Sequence, residues 1–271
     1  MAREKDSIAS SDEHNSRGIE LADRGWLDEA LKEFKKAIEL DPESAHAWDN
    51  LATVYAEKQR YREALDAHLK SLQLDPENPS GHYNLASFLA AHGLDFAVSE
   101  FLQTIELEDD YPDAHLNLGL AYAELGRTEE ALKALQTAVE FDPADAVPRY
   151  ELASLQMEEG DFRHAIVQLK EVTRLDPRNF EGWLDLGICY AQKGFYEEAE
   201  RAYEAARELK PDELLLRYNL SALYALWKKK AQSLEHLKAA LELDRGKVSG
   251  WLRSDPMFQS LEGDADFEAL R

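Results

Sequence analysis

Apolar and small residues recur along the chain at helical spacing, in paired segments, and the paired pattern itself returns about every 34 residues. Aligned on an Ala and a Pro twelve residues further on (Ala30/Pro42, Ala64/Pro76, Ala131/Pro143, Ala165/Pro177, Ala199/Pro211), the repeats run 11–44, 45–78, 79–111, 112–145, 146–179, 180–213 and 214–247. The first segment of each carries apolar or small residues at repeat positions 4, 7, 8 and 11, as in Trp48, Leu51, Ala52, Tyr55 and Trp183, Leu186, Gly187, Tyr190. Such spacing puts one apolar stripe on one helical face. A Gly near position 15 (Gly25, Gly93, Gly126, Gly160, Gly194) predicts a left-handed C-cap that ends the helix. The second segment has small residues at positions 20 and 27, such as Ala30/Ala37, Ala131/Ala138 and Ala199/Ala206, and predicts a helix that lies close to the first. It stops at Asp-Pro in four repeats (Asp41-Pro42, Asp75-Pro76, Asp142-Pro143, Asp176-Pro177), because Pro disfavours helix at the residue before it.

A helix pair this short cannot bury its own apolar face, so copies must stack into a quasi-one-dimensional solenoid. Trp183-x2-Leu186-Gly187-x2-Tyr190, then Ala199, Tyr203 and Pro211, resembles the tetratricopeptide repeat, and Ala30, Phe34, Ala37 and Pro42 repeat its second half. The resemblance covers residues 11–247. It implies an all-α, right-handed superhelical solenoid of seven helix-turn-helix repeats, whose first helices line a concave groove. Two repeats depart from the pattern. Repeat 3 is one residue short and has Glu108-Asp109-Asp110-Tyr111 where a closing Pro is expected. Repeat 7 has Lys228-Lys229-Lys230 at the turn, Ser233 for the Ala and no closing Pro. Residues 1–10 read as a polar tail. The out-of-phase segment 248–271 reads as a cap, with Trp251, Phe258, Leu261, Phe267 and Leu270 available to cover the last repeat. It is similar to the terminal segment of many bacterial proteins of this family.

Charge then narrows the partners. With 54 acidic and 31 basic residues the chain has a formal charge of −23. That argues against nucleic acid and against anionic membrane surfaces, and favours a basic or neutral protein partner. Cys189 is the single cysteine, so a reducing, cytoplasmic setting is expected, with Cys189 a small buried hydrophobe. No apolar run is long enough to span a bilayer, and the first residues carry no secretory signal.

At about 100° per residue, positions 2, 6, 9 and 13 of each first helix lie opposite its apolar stripe. The resemblance implies that they face a ligand. Position 6 reads Ser16, Asn50, Asn84, Asn117, Glu151, Asp185 and Asn219. An amide offers donors and an acceptor, so such a row can hold an extended peptide by its backbone. It resembles the asparagine ladder in the repeat domains of O-linked sugar transferases and kinesin light chains. The alternative is a solvated polar face. Glu57, Glu124 and Glu158 at position 13 add to Glu151 and Asp185, and none of the 28 positions on this face is Lys or Arg. Tyr83, Tyr150 and Tyr218 at position 5 lie beside it, either as shallow pockets for a partner or as packing between repeats. Position 5 is never basic, so the family's clamp for acidic chaperone tails is not expected.

Catalytic chemistry has no candidate. The eight His are scattered, with His14, His82 and His115 on packing position 4, and no metal-ligand spacing, phosphate-cradling loop or nucleophile elbow occurs. The expectation is a non-enzymatic adaptor without cofactor or metal that binds another protein. Self-assembly through the solenoid ends or the convex face is the alternative.

Overall fold

The computed structural model describes the backbone of residues 2–90 and 93–271, and side chains from Ser10 onward in those ranges. Each repeat folds as a pair of helices packed on each other. The pairs are α1 (Ala2–Asp23) with α2 (Leu27–Leu40), α3 (Ala45–Glu57) with α4 (Tyr61–Leu74), α5 (Pro79–Ala90) with α6 (Leu94–Leu107), and α7 (Pro112–Glu124) with α8 (Thr128–Phe141). They continue as α9 (Ala146–Glu158) with α10 (Phe162–Leu175), α11 (Phe180–Gln192) with α12 (Tyr196–Leu209), and α13 (Leu214–Leu226) with α14 (Lys230–Leu252). A 3₁₀ helix (Pro256–Leu261) and a last short helix, α15 (Ala265–Glu268), follow. No strand occurs among the described residues. The chain divides into two units, Met1–Asp142 and Pro143–Arg271. Residues 2–10, read from sequence as a tail, continue α1 back to Ala2; Met1 and the position-13 residue Ala91 lie outside the described residues.

The pairs close on small residues. Ala30, Ala37, Ala64, Ala97, Ala131, Ala138, Ala165, Ala199 and Ala206 have no exposed surface. Gly187 in α11 lies so near Tyr203 in α12 that a Cβ there would overlap the buried ring. The packing position next to Leu186 is therefore Gly for steric reasons.

Turn glycines Gly25, Gly126, Gly160 and Gly194 have φ of 70 to 77° and end their helices as expected. Gly93 does not: its φ is −175°, extended backbone, and it stands immediately before α6 as its N-cap residue, because repeat 3 has one residue fewer between this Gly and the buried Ala97 than the other repeats have between their turn Gly and Ala. Conversely, Gln59 and Lys228 occupy the left-handed conformation in repeats 2 and 7, at φ 58° and 60°.

Position 4 has a role beyond packing. Its side chain hydrogen-bonds the loop carbonyl six residues earlier: Trp48 Nε1 to Pro42 O (3.1 Å), His82 to Pro76 O (3.1 Å), His115 to Asp109 O (2.9 Å), Arg149 to Pro143 O (3.0 Å) and Trp183 Nε1 to Pro177 O (3.1 Å). Residues that differ in size and charge but share a ring or guanidinium nitrogen thus latch the inter-repeat loop. His14 instead meets Glu33 at 2.6 Å.

At the C-terminal end α14 breaks at Asp244 (φ −155°, ψ 91°), the repeat position where Asp-Pro stops the earlier second helices. Val248, Leu252, Phe258, Leu261 and Phe267 then bury themselves against Tyr218, Leu237 and Leu241, with Trp251 and Leu270 packed alongside. The lysine run at the turn is spent locally. Lys229 stands 3.1 Å from the centre of the Trp227 ring, and Lys230 ion-pairs with Asp264 and Asp266 in the capping segment.

Candidate functional site

The polar face of the first helices is organised by hydrogen bonds that run from position 6 of one repeat to position 5 of the repeat before it. Asn50 Nδ2 donates to Asn15 Oδ1 at 3.0 Å, Asn84 Nδ2 to Asp49 Oδ2, and Asn117 Nδ2 to the Tyr83 hydroxyl at 2.9 Å. In the second unit the direction reverses with the chemistry: the Tyr150 hydroxyl donates to Asp185 Oδ2 at 2.8 Å. Tyr218, at position 5 of the last repeat, donates to Asp255 of the cap at 2.7 Å. The capping segment thus supplies the acceptor that an eighth repeat would have supplied.

The ladder depends on a polar residue at position 5. In repeat 6 that residue is Leu184, which has no polar side-chain atom. The following position 6, Asn219, is buried and its Nδ2 has no partner among the described residues. Glu151 also makes no side-chain hydrogen bond among the described residues, and burial pushes its carboxyl above the ordinary range. Burial likewise raises Asp185, against the opposing bond from Tyr150. The Tyr150 and Tyr218 hydroxyls are held well above their usual value by burial, with the neighbouring carboxylates adding to it.

Besides Asn219 and Glu151, the sequence-predicted residues separate into two groups. Asn50, Asn84, Asn117, Tyr83, Tyr150 and Asp185 are tied into contacts between successive repeats, and Tyr218 into a contact with the capping segment. Tyr83 also stacks on Tyr111 (5.1 Å between ring centres) and Tyr218 lies against Trp251 (5.0 Å). Each tethered Asn keeps its Oδ1 as an acceptor, because only Nδ2 is used. Glu57, Glu124 and Glu158 are exposed and make no ion pair among the described residues. Sequence reasoning missed the support beneath Asn84. His68 Nδ1 meets Asp49 Oδ1 at 2.8 Å, and both residues are buried. The signal present in the sequence was the polar series Asn15, Asp49 and Tyr83 at position 5, each followed about one repeat later by Asn. Cys189 is fully buried, and burial pushes its thiol up to about 12, as expected of an inert packing residue. Among the described residues no group of His, Cys, Asp and Glu could hold a metal ion, and no helix is long and apolar enough to cross a membrane.

Family models for the tetratricopeptide repeat match residues 112–145 and 150–213, and a TPR repeat model matches 18–59 and 52–93. The chain belongs to the tetratricopeptide repeat proteins. Such repeats generally mediate protein–protein interactions. The chain is 32% identical over 134 residues to the type IV pilus assembly protein PilF of Pseudomonas aeruginosa, covering 49% of this chain and 53% of the relative. It is 23% identical over 212 residues to the BBSome complex member BBS4 of Bos taurus, covering 78% and 41%. This tetratricopeptide repeat protein thus spans about half or less of those relatives' lengths. Among solved structures, PilF superposes with a TM-score of 0.68 at 20% identity, over 80% of this chain and 97% of that one. YrrB, described as a TPR protein with an unusual peptide-binding site, superposes at 0.59 with 27% identity over 68% and 95%.

Proposed function

We propose that the protein is a non-catalytic adaptor, acting in the cytoplasm, that holds an extended basic or neutral segment of a partner on its first-helix face. The single observation that carries this reading is the inter-repeat ladder in the first unit. It fixes three amides, Asn50, Asn84 and Asn117, one repeat apart, each with an acceptor oxygen to spare. An extended chain presents backbone N–H groups at regular intervals, and pre-oriented acceptors bind them without an ordering cost. Exposed Glu57 and Glu124 lie on the same face and make an environment that favours cations over anions. The described peptide-binding site of YrrB, at 27% identity, supports the same class of ligand. Tyr83, Tyr150 and Tyr218 are assigned to holding the repeats together rather than to gripping the partner.

Substituting the asparagines would disturb the ladder, and Asn84 touches the buried Asp49, so the decisive variant is Glu57→Lys/Glu124→Lys. Presented with a library of capped peptides, the wild type should select Lys- or Arg-containing and neutral sequences, and selection should weaken as salt is added. The double variant should lose the basic class while keeping its helical signal. Unchanged selection by the variant would contradict the reading. A wild type that selects no peptide but grows in mass with concentration by light scattering would favour self-assembly instead.

A further inference from the structure

Between α10, α11 and α12, on the side away from the amide ladder, a cleft of about 440 Å³ has an apolar floor and a cationic rim. Trp183, Leu186 and Tyr190 of α11 form the floor with Ala202 of α12. Lys170 and Arg174, one turn apart on α10, form one wall, and Arg201 with Glu198 on α12 forms the other. The first unit contains the same construction. A cleft of about 310 Å³ is lined there by Leu102 where Lys170 stands, His115 for Trp183, Tyr122 for Tyr190 and Lys133 for Arg201. The shape therefore comes from repeat packing. The charge does not: three cations against one carboxylate line the second cleft, and one against one the first.

We propose that the cleft between α10, α11 and α12 is a second docking site, for an acidic segment of a partner protein that carries an aromatic or leucine side chain. The apolar group seats on Trp183, Leu186 and Tyr190, and flanking carboxylates meet Lys170 and Arg174 on one side and Arg201 on the other. Charge complementarity selects this ligand. In a chain of net charge −23 a cluster of three cations around half-buried aromatic surface attracts the ligand class that the ladder face repels. The cations are also available. Lys170 makes no ion pair among the described residues. Among the described residues Arg174 and Arg201 pair only with Glu171 (2.8 Å) and Glu198 (3.2 Å) one turn away, and remain 64% and 74% exposed. Exposed pairs of this kind are weak, so a ligand carboxylate competes with them readily. Aromatic side chains flanked by Arg are also the residue types that dominate interface energetics. The site does not depend on the ladder reading, because it uses the opposite face of α11 and the opposite charge.

The test is a nitrogen-15 NMR titration of the full chain labelled at tryptophan, with the capped hexapeptide Glu-Glu-Phe-Leu-Glu-Glu as probe. The Trp183 indole resonance, assigned through Trp183→Phe, should move on titration while that of Trp48 stays still. Lys170→Glu/Arg201→Glu, changing two exposed side chains, should weaken binding tenfold or more without loss of helical signal. The hexapeptide Lys-Lys-Phe-Leu-Lys-Lys should leave Trp183 unmoved. A stationary Trp183 resonance, equal response to both peptides, or undiminished binding by the double variant would overturn the proposal. Loss of basic-peptide selection in Glu57→Lys/Glu124→Lys tests only the ladder face and leaves this site untouched.

Discussion

At the scale of single residues, backbone conformation and burial set the strain in the repeats. Lys228 holds φ 60° at the turn where four other repeats use Gly, a conformation that costs a residue with a Cβ about 1 kcal/mol. Lys228→Gly should therefore stabilise the chain by about that amount in chemical denaturation, even though it removes a charge next to Trp227. No gain would mean that the turn is relaxed by other contacts. Asp185 carries strain of another kind. Its folded-state pKa lies above the unfolded value, because burial disfavours the carboxylate more than the Tyr150 hydrogen bond favours it. A raised carboxyl contributes stability that is complete below the unfolded pKa, about 3.9, and is lost as pH rises through the folded value. Asp185→Asn keeps an acceptor for the Tyr150 hydroxyl and removes the buried charge. It should unfold at a higher temperature than wild type at pH 7, and the gap should close below about pH 4. A gap that widens toward acid would show that the ionised form is the stabilised one.

At the scale of helices, the ladder explains why the same face is both polar and ordered. Each rung joins position 5 of one first helix to position 6 of the next, so register between repeats is fixed by side chains rather than by the loop alone. At position 6 of the last repeat, Asn219 Nδ2 has no partner among the described residues, since Leu184 offers none. A buried unpaired amide costs about 1–3 kcal/mol, so Asn219→Leu should leave stability unchanged or raise it by about 1 kcal/mol. Tyr83→Phe, which removes the acceptor for Asn117 Nδ2, should instead cost about 1 kcal/mol. Equal effects of the two substitutions in a melting experiment would refute the rung assignment. Helix boundaries were readable from Asp-Pro stops and from Gly25, Gly126, Gly160 and Gly194, because those signals are local. Gly93 misled because the turn that follows it is one residue shorter, which makes the glycine the N-cap of α6 rather than a left-handed turn residue. Gln59 and Lys228 gave no signal at all, since their side chains do not announce a left-handed turn. The His68–Asp49–Asn84 network joins three helices across two repeats, and only packing brings those residues together.

At the scale of the whole molecule, two units carry related but unequal surfaces. The first unit presents tethered Asn50, Asn84 and Asn117 with exposed Glu57 and Glu124. The second presents Glu151, Asp185 and Asn219, where burial raises the two carboxyls and leaves the amide unpaired. Sequence periodicity revealed which positions share a face. It could not reveal that Tyr83, Tyr150 and Tyr218 are rungs, because their hydroxyl partners lie a full repeat away, or in the cap for Tyr218. The reading that follows is an adaptor whose peptide site is concentrated on α3, α5 and α7. The measurement that tests it most directly places a photo-crosslinking residue at Thr53 or Ser87, exposed on that face, and in separate variants at Lys70 or Lys133 on the second helices. Each is irradiated with a library-selected basic peptide. Adducts at Thr53 and Ser87 but not at Lys70 and Lys133 are the predicted result. Adducts confined to Lys70 and Lys133 would contradict it and move the partner to the other side of the repeats.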